Sequence, residues 1–438
     1  LLLPLEAKGL GNLPLARGRI GFGDEIHHLL TGGQAGRADL GGFLLFLIGS
    51  HLPAIGMPAP ARQCRHRRGQ PLANVLLLFY LPAMAIEKGR GATLNGESRR
   101  FALPQRQADG DWLDMAEAID GAQPRLRTQV TVEHPRTIIA RNSSPDIAFS
   151  QSINAYRGCE HGCIYCFARP THAYLDLSPG LDFESRLFAK PDAAALLRKE
   201  LGKRGYIVSP IAMGTNTDPY QPIEKDWRIT RQVLKVLVET RHPTFITTKS
   251  DRILQDIDLL ADLARDNLVA VMISVTTLDP RVARTLEPRA AHPEKRLAAI
   301  ARLAQAGVPV TANMSPIIPA INDHEIESVV ARVAAAGARD VSYILVRLPH
   351  EVAPLFRAWL DEHHPDRAGK VMAIIRDLRG GRDNDPNFGS RMKGQGVWAD
   401  LIRARFIKAR RKAGLGGEKL ALRTDLFRPP EGAQMRLF

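Results

Sequence analysis

Cysteine is the first scarcity. The 438-residue chain holds four; three of them sit together at Cys159, Cys163 and Cys166, and Cys64 stands far upstream. One spare thiol builds no disulfide framework, so the expected compartment is a reducing one, the cytoplasm. Long apolar runs are lacking too. Phe43–Ile48 and Val75–Leu81 fall well short of the roughly 20 residues that cross a bilayer, and no basic start leads into a single apolar core as a secretory signal requires. No membrane partner is expected. Acidic residues are outnumbered, 46 Asp and Glu against 60 Lys and Arg, for a net charge of +14. That excess permits nucleic acid as a partner without demanding it, because the charge is spread along the chain.

The chain divides by composition. Residues 1–83 begin with Leu, are rich in Leu, Gly, Pro and Ala, and show no sustained period of 2 or 3.6. We expect them to be a non-native or disordered extension, with translation starting at Met84 and no role for Cys64. Residues 84–146 are polar and read as a leader or small layer with one strand, Thr128–Val132. From Ile147 an alternation sets in. Expected strands are Ile147–Tyr156, Tyr206–Met213, Thr244–Thr248, Leu268–Val275, Val308–Met314 and Val341–Val346. Expected helices between them are Asp192–Lys203, Ile229–Thr240, Ile253–Arg265, Glu294–Ala306 and Asp323–Ala336. Near-continuous Val and Ile runs separated by helices make a parallel sheet. The fold class is therefore α/β, a partial (β/α)6 barrel over 147–349, with a helical extension and tail over 350–438.

The three cysteines lie in Tyr156-Arg-Gly-Cys159-Glu-His-Gly-Cys163-Ile-Tyr165-Cys166. Thiolates this close bring a soft metal to the chain. A [4Fe–4S] cube normally takes four, so three would leave one iron open to a small chelating ligand. The competing reading is a zinc knuckle completed by His161 or His172. Zinc loops usually add a second pair of ligands further on, and none follows here.

The spacing C-x3-C-x2-C, with aromatic Tyr165 before the last cysteine, resembles the cluster loop of the radical S-adenosylmethionine (SAM) enzymes. The resemblance implies a six-unit open barrel, a [4Fe–4S] cluster on Cys159, Cys163 and Cys166, and SAM on the open iron. It also implies an electron donor of the flavodoxin or ferredoxin type. The cofactor then carries the chemistry and the protein supplies placement. Working groups are expected just past the C-terminal ends of the strands. After the second strand this chain has Gly214-Thr-Asn-Thr217-Asp218-Pro-Tyr-Gln-Pro and lacks the Gly-Gly-Glu that often contacts the SAM amino group, so Thr217 and Asp218 stand in for it. Lys249 is assigned to the SAM carboxylate, Ser274 to the ribose or carboxylate, and Asn313 to the barrel mouth. Arg289 could reach the same pocket or pair at the surface, and Arg347 is a candidate substrate contact.

Asp-Pro-Tyr-Gln-Pro and Thr-Lys-Ser resemble the branch containing spore photoproduct lyase. Those lyases carry a hydrogen-donating cysteine beyond the second strand. No cysteine follows Cys166 here, which speaks against that lyase reaction while leaving radical generation intact. Past residue 350 a basic helix, Val397–Arg411, could track phosphates. The final Gln434-Met-Arg-Leu437-Phe438 resembles the peptide by which bacterial replication and repair proteins dock on the sliding clamp. Two functions stay open: a radical SAM enzyme abstracting hydrogen from an unknown substrate, nucleic acid among the candidates, or a non-catalytic metal-binding or regulatory protein on the same barrel, holding iron–sulfur or zinc, with DNA among its candidate partners.

Overall fold

The computed structural model describes residues 90–92, 95–96, 126–417 and 420–430. The expectations for residues 1–83, for Met84, for Cys64 and for Gln434–Phe438 lie outside the described residues.

The strands in chain order are β1 (Gln129–Val132), β2 (Ile139–Arg141), β3 (Gln151–Ile153), β4 (Tyr156–Arg157), β5 (Arg186–Ala189), β6 (Ile211–Met213), β7 (Thr244–Thr248), β8 (Val269–Ser274), β9 (Val310–Ile317) and β10 (Asp340–Leu345). Seven of them make one sheet in the order β10-β9-β8-β7-β6-β3-β2. Within it β3 and β6 to β10 run parallel, and β2 is antiparallel on β3. These six parallel strands form the open partial barrel that the alternation predicts. Along β8, Val269, Val271 and Ile273 on one face and Ala270 and Ser274 on the other are buried, as a strand covered on both faces must be.

The helices are α1 (Asp182–Ser185), α2 (Ala193–Leu201), α3 (Glu224–Trp227), α4 (Ile229–Glu239), α5 (Ile257–Arg265), α6 (Pro280–Leu286), α7 (Pro293–Gln305), α8 (Ile326–Ala335), α9 (Val352–His363), α10 (Pro365–Leu378) and α11 (Gly396–Lys412). Proline opens α6, α7 and α10, where a missing N–H costs nothing. Helix α4 buries Val233, Leu234, Val236 and Leu237 against the sheet, each contributing about 1.5–3 kcal/mol. Among the described residues no helix is long and apolar enough to cross a membrane.

Several boundaries differ from expectation, three of them instructively. The run Ile147–Tyr156 is not one strand: β3 belongs to the large sheet, and β4 turns off into a second sheet of order β1-β5-β4. The run Tyr206–Met213 shortens to β6 because Pro210 has no N–H for a ladder, and Ile207 stands 76% exposed. The helix expected from Ile253 starts as a 3-10 turn, Asp251–Asp256, which Ser250 caps by accepting from the Arg252 N–H at 3.2 Å.

The small sheet ties the leader to the core, since β1 pairs in parallel with β5. Residues 420–430 form a strap across the base. The Arg423 N–H donates to the Asn267 carbonyl at 3.0 Å and the Arg428 N–H to that of Thr240 at 2.8 Å. Phe427 packs its ring 5.4 Å from His242 and 5.6 Å from Tyr206.

Candidate functional site

The cysteine loop leaves β4 and is turned by two glycines. Gly158 and Gly162 have φ of 74° and 65°, a region costly to residues with a Cβ. A Cβ at Gly158 would stand 2.5 Å from Leu187, and one at Gly162 2.7 Å from the Glu184 carboxylate. The loop is then held from several sides. Thr217 Oγ1 donates to the Gly158 carbonyl at 2.6 Å, and Gln221 Oε1 accepts from the Glu160 N–H at 2.9 Å. Arg169, fully buried, donates to the carbonyls of Cys163 and Gly162, each at 2.9 Å, and pairs with buried Glu184 at 2.5 Å. Glu184 in turn accepts from the N–H groups of Gly91 and Ala92 at 2.9 and 2.8 Å, so the leader braces the same loop.

Cys159 and Cys163 are buried, Cys166 is half-buried, and none is in a disulfide. Burial pushes both buried thiols up, Cys163 to about 12, with the charge of Lys249 pulling back against it. Cys159 is raised by burial, then by Asp218 and by the negative charge of the other two sulfurs. The three sulfurs therefore sense one another, and Cys163 and Cys166 act on one cation, Lys249. Burial alone would lower Lys249; the charges of Cys163, Glu287, Asp218 and Cys166 outweigh it and raise the ammonium. Its Nζ stands 5.9 Å from the Tyr165 ring centroid. A soft cationic group would relieve thiols so placed, and an iron–sulfur cluster fits this donor set.

Asp218 and Lys249 meet beside the cysteine loop. Asp218 accepts from Thr248 Oγ1 at 2.6 Å, from the Lys249 N–H at 2.8 Å and from the Tyr220 N–H at 2.9 Å, and its Oδ2 lies 3.3 Å from His161 Nδ1. Burial opposes its ionisation, yet His161 and these donors take it down to about 2. Tyr165 donates its hydroxyl to Glu287. Ser274 faces Asn313 across β8 and β9, and Asn313 Oδ1 accepts from Ser342 Oγ at 3.2 Å. Arg289 is not in a surface pair: it pairs at 2.9 Å with the buried Glu160, on the cysteine loop itself.

Sequence reasoning missed Arg169, Glu184, Gln221, Glu287 and Arg296. Glu287 accepts from Thr276 Oγ1 at 2.7 Å and pairs with Arg296 at 2.5 Å, while Arg296 reaches the Ser274 carbonyl at 3.1 Å. A signal existed for Arg169, which follows the last cysteine by three residues and precedes a proline. A cavity of about 450 Å³ lies beyond the Glu287 and Arg296 pair, lined also by Arg281, Arg284 and His292. It holds none of the predicted cofactor residues.

Of the two histidines in the zinc reading, His161 is engaged with Asp218, whereas His172 bonds the Arg186 carbonyl through Nε2 at 3.0 Å and its buried Nδ1 has no hydrogen-bond partner. Among the described residues no three His, Cys, Asp or Glu side chains gather around one ion position. A cluster does not ask for that, because each thiolate takes its own iron.

Residues 153–333 match the model described as the radical SAM superfamily, and a curated relative is 34% identical over 71% of its own length. The chain belongs to the radical SAM superfamily, whose members use a [4Fe–4S] cluster and SAM. That relative is an uncharacterized protein of Mycobacterium tuberculosis, aligned over 242 residues, 54% of this chain. Another, from Methanocaldococcus jannaschii, is 31% identical over 173 residues, 40% of this chain and 62% of that one. Among solved structures, spore photoproduct lyase complexed with dinucleoside spore photoproduct is similar with a TM-score of 0.46 and 16% identity. That likeness covers 65% of this chain and 79% of the other.

Proposed function

We propose that the chain is a radical SAM enzyme in which Cys159, Cys163 and Cys166 hold three irons of the cluster, and Tyr165, Lys249, Ser274 and Asn313 line the SAM pocket. The observation that carries this is the single loop of three free thiols, two of which, Cys163 and Cys166, stand within electrostatic reach of Lys249. When bound, cluster and SAM supply a 5′-deoxyadenosyl radical able to take hydrogen from a substrate. The chain's own part is placement. Thr217 and Gln221 fix the loop backbone at Gly158 and Glu160. Asp218 binds the Lys249 N–H and so sets where that ammonium starts, beside its proposed part in receiving the SAM amino group. Lys249 offers the charge for the SAM carboxylate. Neither Thr217 nor Asp218 is surplus to the fold, because both already hold backbone. The electron comes from a flavodoxin or ferredoxin type of donor, which places the enzyme in a reducing compartment, the cytoplasm.

The test is oxygen-free reconstitution with iron and sulfide, followed by a strong reductant and SAM. About four irons per chain and release of 5′-deoxyadenosine are expected, both lost on replacing any of the three cysteines with alanine. Full iron loading without SAM cleavage would favour the non-catalytic reading. Tight stoichiometric zinc in place of iron would overturn the radical reading and favour a non-catalytic zinc protein on the same barrel.

A further inference from the structure

The last strand ends in positive charge that the proposed cofactor pocket does not use. Arg347 lies two residues past β10, at the same end of the parallel strands as Lys249 and the cysteine loop. The connection between α10 and α11 packs against it. Arg379, only 4% exposed, donates Nη1 to the Arg391 carbonyl at 2.8 Å and Nη2 to the carbonyls of Val346 at 2.7 Å and Leu345 at 3.1 Å. Arg391 runs on to Asp146 at 2.7 Å and Ser144 at 2.8 Å, so this connection joins the end of β10 to the turn ahead of β3.

Within that framework Arg347 is poorly matched. Its Nη1 meets the Met392 sulfur at 3.4 Å, and its buried Nε has no hydrogen-bond partner, as is true of Arg379 Nε. The nearby carboxylates are committed elsewhere: Asp146 to Arg391, and Asp385 to Ser390 Oγ at 2.5 Å and the Asn387 N–H at 2.9 Å. Three guanidinium groups thus face two carboxylates, and a buried charge left uncompensated is costly. Burial and the charge of Arg391 hold the Arg347 guanidinium below its usual value. Burial and Arg347 together bring Arg379 down to about 10. One anion would relieve the whole group. Beside it, Phe388 is 59% exposed, with the Arg391 guanidinium 4.5 Å from its centroid. A guanidinium fork suits phosphate oxygens, and an open aromatic ring suits a base.

We propose that Arg347, with Phe388 and Arg391 beside it, is the subsite for a nucleotide unit of the substrate, phosphate on Arg347 and base on Phe388. That this nucleotide is substrate rests on the radical SAM reading; that it binds does not. The binding test therefore uses the full chain with no cluster or SAM added. Fluorescence anisotropy of a short labelled DNA single strand is competed with unlabelled strand, mononucleotide and inorganic phosphate. Arg347→Ala should weaken strand binding about 10-fold or more, and Phe388→Ala about 5-fold or more. Arg347→Lys, which keeps the charge and loses the fork, should fall between wild type and Arg347→Ala. Unchanged melting of each variant shows that the loss is local. Competition by strand alone assigns the site to nucleic acid, and competition by mononucleotide as well assigns it to the nucleotide itself; either supports the subsite. Wild-type protein that binds none of the probes, or variants that bind like wild type, would overturn it. SAM cleavage without nucleotide is read separately, so failure of the subsite and failure of the radical reading are told apart.

Discussion

Replacing Arg169 with methionine removes the group that holds the cysteine loop from inside. Arg169 and Glu184 are each fully buried. The guanidinium serves the carbonyls of Gly162 and Cys163 at 2.9 Å each, of Gly180 at 2.9 Å and of Pro179 at 3.0 Å. Methionine fills much of the volume yet leaves those carbonyls without their donor, and Glu184 without its cation beside the Gly91 and Ala92 N–H groups. Breaking a buried pair on one side costs about 3–5 kcal/mol. At roughly 2 °C per kcal/mol for a large domain, the melting temperature should fall by roughly 6–10 °C. The double variant Arg169→Met, Glu184→Gln should lose less than the two single losses added, because each change removes the other's unpaired partner. Iron retained after desalting should drop as well, since two of the carbonyls flank Cys163. Calorimetry and iron analysis on the same preparations decide it. Melting within about 1 °C of wild type, with full iron content, would refute the brace.

Two further outcomes follow from charges inside the core. Burial raises Glu224 to about 7 against a usual 4.5, only partly offset by its bonds from Tyr156 and Thr230. The folded state then binds the proton more tightly, so stability is greatest at low pH and is lost as pH rises from about 4.5 through about 7. That gap corresponds to roughly 3 kcal/mol, and Glu224→Gln should flatten the fall in melting temperature between pH 5 and pH 8; parallel curves for the two proteins would count against it. Lys249→Met should weaken SAM about 10- to 100-fold in equilibrium dialysis while iron content holds, and unchanged affinity would remove Lys249 from the pocket.

The legible parts of the chain are those whose cause is local. Strand β8 announces itself because burial on both faces demands a near-unbroken apolar run, and β7 does so by its β-branched Thr and Ile. The cysteine spacing does so because thiolates rarely cluster without a metal to hold. The small sheet was less legible: only β1 was foreseen, β4 has two residues, and β5, Arg-Leu-Phe-Ala, carries an exposed arginine. Its stability comes from β1, more than fifty residues earlier in the chain. The buried carboxylates are hidden for the same reason. Glu184, Glu224 and Glu287 look like surface residues, and only the folded chain brings Arg169, Tyr156 and Arg296 to them. The basic helix shows the converse. Arg405 pairs with Glu327 and Arg410 with Asp340, so much of the charge that suggested phosphate binding anchors α11 to its own barrel.

The strap at residues 423–428 separates two ends of the molecule. It is stitched to the carbonyls of Thr240 and Asn267, where helices hand over to strands, on the pole away from the thiols. A fluorophore or bead coupled beside Phe427 would leave the reactive hemisphere unobstructed, so immobilisation and turnover can be engineered without competing for the same surface.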